Sequence, residues 1–443
     1  MARFKLAVLG SLADGYSMIP YLVFSSLVTG DPNRVNFFVP IVVVYTVQRA
    51  CLVSLRGFGE IINPYLIMKR GLFTAAFGAL LMTLYTVYAP LLTIGSLLVA
   101  MGLAPYGSMF APMSEKLAER FPEYPKSRKI GKIIYFALII LICAFGKAVF
   151  PLIAFIFFVY ILLALASLCF VDGAAFYPEH KSFDTSKREP VFFLFGVLTV
   201  LCLLVLRQYK QSGESYLVWI APLTMIVALI AEKARMGANY PNFVYKTYWA
   251  GAVNNFLILF NILYHASVKN RSVIILIYVA IALGGVCRSF ISRALMKRVP
   301  AEKFDGLCMI LSAAFSFLCI VPVPAVNFIG IIICTAISGI VASNANKDYL
   351  NDGRHVVNER ALARRRIYST GCVINQVVLL FAVYLIGECC IGKNLLYAYA
   401  NGIPDSTVGH LLRIAGLICC TILMVSAVLI ANYTFKGEKK PNG

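Results

Sequence analysis

Fourteen runs of apolar residues, each close to the length that crosses a lipid bilayer, are strung along this chain with polar segments between them. A membrane-spanning helix needs about 17–25 predominantly apolar residues. The runs fall at 6–29, 35–55, 71–89, 92–112, 131–147, 151–171, 191–207, 215–231, 247–266, 272–288, 306–322, 326–343, 367–390 and 410–433. The expected fold is an all-α integral membrane protein with about 14 transmembrane helices. Composition agrees: 60% of the 443 residues are apolar and 14% are charged, against about 45–50% and 25% in a soluble domain. Too few charges exist to cover a water-facing surface.

The stretch Asn344–Arg366 orients the rest. It holds Lys347, Arg354, Arg360, Arg364, Arg365 and Arg366 between two spanning runs, and Lys and Arg in short loops stay on the cytoplasmic side. Alternation from there puts both termini inside, and each inside loop then carries at least three Lys or Arg, while no outside loop carries more than two. A wrong span count would scramble that sign. The opening MARFKLAVLG has the basic start of a signal peptide, but its apolar run contains Asp14 and continues past Tyr21, so an uncleaved first helix is expected.

The net charge of +20 would point to nucleic acid in a soluble protein. Here the cations border apolar runs, where they orient helices and meet membrane lipids, and no nucleic-acid partner is expected. None of the thirteen cysteines forms a C-x-x-C pair, and most lie inside apolar runs, where a thiol behaves as a small hydrophobe. The four histidines are scattered without metal spacing, and no Gly-rich phosphate loop is present. Metal, cofactor and ATP-driven chemistry are therefore not expected, and the chain does not read as an enzyme.

Loops repeat between the two ends of the chain. The second span is followed by RGFGEIINPYLIMKRG and the tenth by RSFISRALMKRVPAEKFDG; both begin Arg-x-Phe and end in basic residues. Long basic loops follow the fourth span (113–130) and the twelfth (344–366). Spans one to six thus echo spans nine to fourteen, a symmetry typical of transporters built from repeats. The expected organisation is a six-helix bundle over 1–171, a cytoplasmic linker with two inserted helices over 172–246, and a second six-helix bundle over 247–443.

With GLAPYGSMFAP closing its fourth span, and with Arg128–Pro151 and Arg364–Gly387 each setting a basic residue ahead of a Gly-punctuated helix, the chain resembles the fourteen-helix branch of the major facilitator superfamily. Where that family carries a G-x-x-x-D-R-x-G-R signature after the second helix, this chain has Gly57, Gly59, Glu60 and then Lys69-Arg70. The resemblance implies a multi-pass protein of the cytoplasmic (cell) membrane that moves a small-molecule solute by alternating access, with a coupling proton or ion.

Polar groups inside lipid are costly, so they face a cavity or a partner. Asp14 and Arg49 lie at comparable depth in the first two spans. They read either as an ion pair that senses protons or substrate, or as a lock between helices. Asn254 and Asn255 in span nine, with Asn375 and Gln376 in span thirteen, either line a cavity or join helices by hydrogen bonds. Arg288 ends span ten, as a cavity cation or an interfacial anchor. Buried cations outnumber buried acids, which points to an anionic or amphipathic organic solute for a secondary active transporter. The competing reading is a lipid-linked oligosaccharide flippase of the fourteen-helix polysaccharide-exporter type, whose second repeat would begin at span seven.

Overall fold

Hydrocarbon offers backbone groups no water, and a helix satisfies them within its own segment. The computed structural model describes residues 2–30, 38–145, 150–171, 173–194, 196–198, 200–201, 241–267, 272–351, 357–391 and 406–437. In chain order the helices are α1 (Ala2–Gly15), α2 (Met18–Gly30), α3 (Phe38–Ser54), α4 (Pro64–Thr83), α5 (Pro90–Leu103), α6 (Tyr106–Arg120), α7 (Tyr124–Phe145) and α8 (Phe150–Phe170). After them come α9 (Asn242–Ser267), α10 (Ser272–Met296), α11 (Ala301–Ser316), α12 (Pro324–Asn351), α13 (Val357–Ile391) and α14 (Ser406–Gly437). Among the described residues, eight helices are long and apolar enough to cross a membrane, or nine if the bent pair α1–α2 is one span. The chain is an all-α, multi-pass membrane protein. Of the expected inserted pair, residues 202–231 lie outside the described residues.

Three expectations are corrected. The first span is two helices bent by 72°, not one. The fourth is interrupted between α5 and α6 at Ala104-Pro105. The two basic "loops" are largely helix: α6 runs to Arg120 and α7 starts at Tyr124, while α12 runs to Asn351 and α13 starts at Val357. Their Ala, Leu, Glu, Lys and Arg are strong helix formers, so helices continue past the apolar runs instead of stopping at their edges. One small departure from all-α structure exists, a two-residue ladder between β1 (Glu60–Ile61) and β2 (Phe183–Asp184).

The chain divides into two compact units, Met1–Val200 with Gly353–Arg365, and Leu201–Asp352 with Arg366–Gly443. In the first, α4 packs on α5 and α8, α3 on α5, and α1 on α7 and α8. In the second, α11 packs on α12 and α14, α10 on α12, and α9 on α14. Span for span, the pairs 3–4, 3–6, 2–4 and 1–6 recur as 11–12, 11–14, 10–12 and 9–14. The fifth pair, 1–5, recurs as α9 against α13, where the Cys372 thiol donates to the Gly251 carbonyl at 3.2 Å.

Helix surfaces explain the pairing. On α4, Phe73, Phe77 and Leu80 are exposed, while Leu72, Ala75, Ala79 and Met82 are buried. The two phenylalanines face outward, while the small Ala75 and Ala79 lie on the inward side, where small residues let helices approach closely in lipid. Gly78 and Gly95 bring α4 and α5 so close that a Cβ on either would stand 2.7 or 2.6 Å from the other's carbonyl oxygen. The α9–α13 crossing is tighter. A Cβ on Gly251 would collide with the Tyr368 carbonyl, and one on Gly371 with the Tyr248 carbonyl. Gly251→Leu is therefore expected to force these backbones apart at the upper end of the about 1–3 kcal/mol that overpacking costs. A lowered thermal midpoint in detergent checks this, and an unchanged midpoint would refute the crossing.

Asn63 starts α4 by accepting from the Leu66 N–H at 3.0 Å, with Pro64 at the first helical position, where its missing N–H costs nothing. Its Nδ2 donates to the Glu179 carbonyl at 2.7 Å, so one side chain joins this helix start to the segment after α8. Gly59 at φ 124° lets the ladder form, because a Cβ there would strike the Asp184 carbonyl. Beside it, the Ser186 hydroxyl and N–H both donate to Asp184 and hold its carboxyl below the usual range.

Candidate functional site

The break between α1 and α2 follows from one residue. In an unbroken helix the carbonyl of Tyr16 would accept from the N–H of residue 20, but residue 20 is proline and has none. Pro20 fits only in the first turn of a new helix, and α2 starts at Met18. The freed Tyr16 carbonyl accepts from Gln48 Nε2 of α3 at 3.3 Å, and Gln48 is buried. Irregular backbone at membrane depth is tolerated where it is held by protein or lines a cavity.

Polar side chains of the first unit collect at this break. Arg128, four residues into α7, donates from Nη1 to the Gly10 carbonyl at 2.7 Å. Its Nη2 donates to Asp14 Oδ1 at 2.9 Å. Gly10 makes this reach possible, since a Cβ there would stand 2.9 Å from Arg128 Nη1. The two side chains are 29% and 27% exposed, a partly wet ion pair. Tyr135 of α7 donates to Met18 Sδ at 2.9 Å, on the far side of the break. One turn back in α1, Ser11 donates to the Val8 carbonyl at 2.9 Å, so the Tyr160 hydroxyl, 2.7 Å away, donates to Ser11. Tyr106 donates to the Leu9 carbonyl at 3.3 Å. Arg365 stands over the Tyr16 ring, 5.3 Å from its centroid.

The partner of Asp14 is thus Arg128, which the sequence reading leaves in a cytoplasmic loop. Arg49 is 8% exposed and adjoins Gln48 on α3. In the second unit, Asn255 donates to Asn375 Oδ1 at 3.1 Å and both are buried, so these two amides join α9 to α13. Asn254 is half-buried and Gln376 buried. Arg288 is exposed, with its Cδ 3.2 Å from where a Cβ on Gly339 of α12 would lie.

A second charged cluster of the first unit was not legible as a site. Arg56, in the turn after α3, donates from Nε to Glu189 at 2.8 Å and from Nη1 to both Glu359 oxygens at 2.6 and 2.7 Å. Glu359 is 6% exposed and also accepts the Ile61 N–H at 2.9 Å. Residues 56, 61, 189 and 359 are too far apart in sequence for spacing to reveal the cluster. In the second unit, Asp305 of α11 accepts from Lys246 of α9 and Asn344 of α12, each at 2.7 Å.

No family model matches the sequence, and no curated protein matches it significantly. Solved structures do. The nucleoside transporter NupG superposes with a TM-score of 0.58 at 11% identity, over 98% of this chain and 99% of that one. An auto-inhibited POT family peptide transporter gives 0.57 at 12%, over 100% and 96%. The E. coli fucose:proton symporter FucP gives 0.50 at 13%, over 96% and 98%. Likeness at such identity speaks for architecture alone, and over its whole length this chain has the fold of the major facilitator transporters.

Proposed function

We propose that the protein is a secondary active transporter of the fourteen-helix type, moving a small anionic or amphipathic organic solute by alternating access with a proton or another ion as coupled partner. Its bundles are 1–171 and 247–443, with the linker and inserted pair at 172–246 and both termini cytoplasmic. The observation that carries this reading is the break in the first helix. There, a backbone opened by Pro20 is surrounded by Asp14, Arg128, Arg365 and Gln48, with Arg49 beside Gln48 on α3. Discontinuous helices of this kind build solute and ion sites near the bilayer midplane. Arginines outnumber the single acid, which supports a negatively charged group on the solute. Within the second unit, Asn254, Gln376 and Arg288 are the proposed solute or coupling groups, and the Asn255–Asn375 pair joins α9 to α13 there. Saccharide-lipid export, the competing reading, would begin its second repeat at span seven; the recurrence of helix pairs from α9 onward supports the transporter reading.

The test is uptake by the full chain in liposomes, with a panel of organic anions and an imposed pH gradient. At one proton per solute, a gradient of one unit supports about tenfold accumulation. Movement of no member of the panel above protein-free liposomes would remove the reading.

A further inference from the structure

Three buried polar side chains of the second unit form a chain whose proton positions can be assigned. Asn261 of α9 donates from Nδ2 to the Leu257 carbonyl at 2.7 Å. A backbone carbonyl only accepts, so this fixes the amide and leaves Asn261 Oδ1 as an acceptor. Asn327, in the first turn of α12, donates to that oxygen at 2.8 Å and with the same nitrogen to the Cys319 carbonyl. Both Nδ2 hydrogens of Asn327 are then committed, and its Oδ1 can only accept. His265 Nε2 lies 3.4 Å from that oxygen, so it carries the ring hydrogen.

The assignment leaves Nδ1 of His265 as a bare lone pair. His265 is 3% exposed, and its Nδ1 has no hydrogen-bond partner among the described residues. An unsatisfied buried acceptor costs about 1–3 kcal/mol, so a group of this kind calls for a reason. The surroundings are almost free of charge. Tyr264 stands edge-on, 5.1 Å between ring centroids. Cys319 is buried on the turn after α11. At this end of the unit, α10 over 272–287 and α12 over 324–346 carry no charged residue, and α13 over 373–391 carries only Glu388. From α14, Arg413 donates to the Ile320 carbonyl at 3.0 Å, and with His410 it lines a groove of about 360 Å³.

We infer that Nδ1 of His265 is a proton-binding site, at which the second unit takes up the proton coupled to solute movement. This rests on the transport reading above and names its coupling group. The step is a simple protonation: the Nδ1 lone pair accepts a proton from a hydronium ion, which is left as water, giving a ring with hydrogen on both nitrogens, and loses it again on release. Asn327 is a positioning residue, because its oxygen holds the hydrogen on Nε2 and keeps the lone pair on Nδ1.

Nitrogen NMR of the full chain, labelled at histidine and held in lipid, tests this while the pH is lowered. The His265 resonance is the one missing in His265→Gln; if that variant does not fold, removing the other three histidines one at a time identifies it. The expected result is a neutral ring with a bare Nδ1 that gains a second proton on acidification. A neutral ring with its hydrogen on Nδ1 overturns the proposal, as does a ring that stays neutral while the other histidines titrate. In liposomes, His265→Gln should reduce the about tenfold accumulation per pH unit to simple equilibration while solute exchange continues. Unchanged accumulation overturns the proposal and leaves the transport reading standing. If the unsubstituted chain moves no solute, the transport reading fails, and with it the coupling claim, while the NMR titration still decides the proton site.

Discussion

Replacing Arg56 with leucine is expected to cost about 3–5 kcal/mol of stability, the range for breaking a buried ion pair from one side. Arg56 and Glu359 are 19% and 8% exposed at their side chains. Without the guanidinium, Glu359 would keep a buried negative charge with one remaining donor described, the Ile61 N–H. Thermal unfolding in detergent should show a clear drop in midpoint. Glu359→Gln should be milder, because an amide oxygen still accepts from Ile61 and Arg56 still has Glu189 at 2.8 Å. Arg56→Leu combined with Glu359→Leu should recover much of the loss, since removing both charges also removes the desolvation that opposed them. A single Arg56→Leu variant as stable as the parent would show that the cluster does not form.

The second large effect concerns transport. Arg128→Gln is expected to abolish pH-driven uptake and to cost about 1.5–3 kcal/mol, the worth of its charged hydrogen bonds. It removes the contact to Asp14 and the one to the Gly10 carbonyl together. Asp14→Asn should lower uptake comparably and stability less, because an amide can still accept from Arg128. The decisive variant carries both changes. Charge balance returns, so stability should come back toward the parent, while uptake should not. If uptake recovers with stability, the pair is a fastener between α1 and α7 and takes no part in coupling. Double-mutant comparison separates the outcomes because the two groups are in direct contact.

The spans were legible because lipid imposes a single requirement, a long apolar run, and 12 of the 14 runs coincide with described helices. Their ends were not. Leu117, Ala118, Glu119 and Arg120 favour a helix as strongly as the residues before them, but apolarity, the only signal used to bound a span, stops earlier. Asp14 was legible because a carboxylate in an apolar run is costly wherever it points. Arg128 was not, since a cation among other cations at a membrane edge is what topology alone requires. The kink was written in the sequence too. Pro20, preceded by Asp14-Gly15-Tyr16-Ser17, removes one helix hydrogen bond, and reading it demanded asking where the Tyr16 carbonyl would go. The Asn261–Asn327–His265 chain brings together residues up to 66 positions apart, and only packing could disclose it.

The elbow after Gly15 has an electrical consequence. Each half of a divided helix keeps its own macrodipole, so the carbonyl end of α1, carrying partial negative charge, meets the amide end of α2, carrying partial positive charge. A continuous helix would have cancelled these poles inside itself and shown them only at its ends.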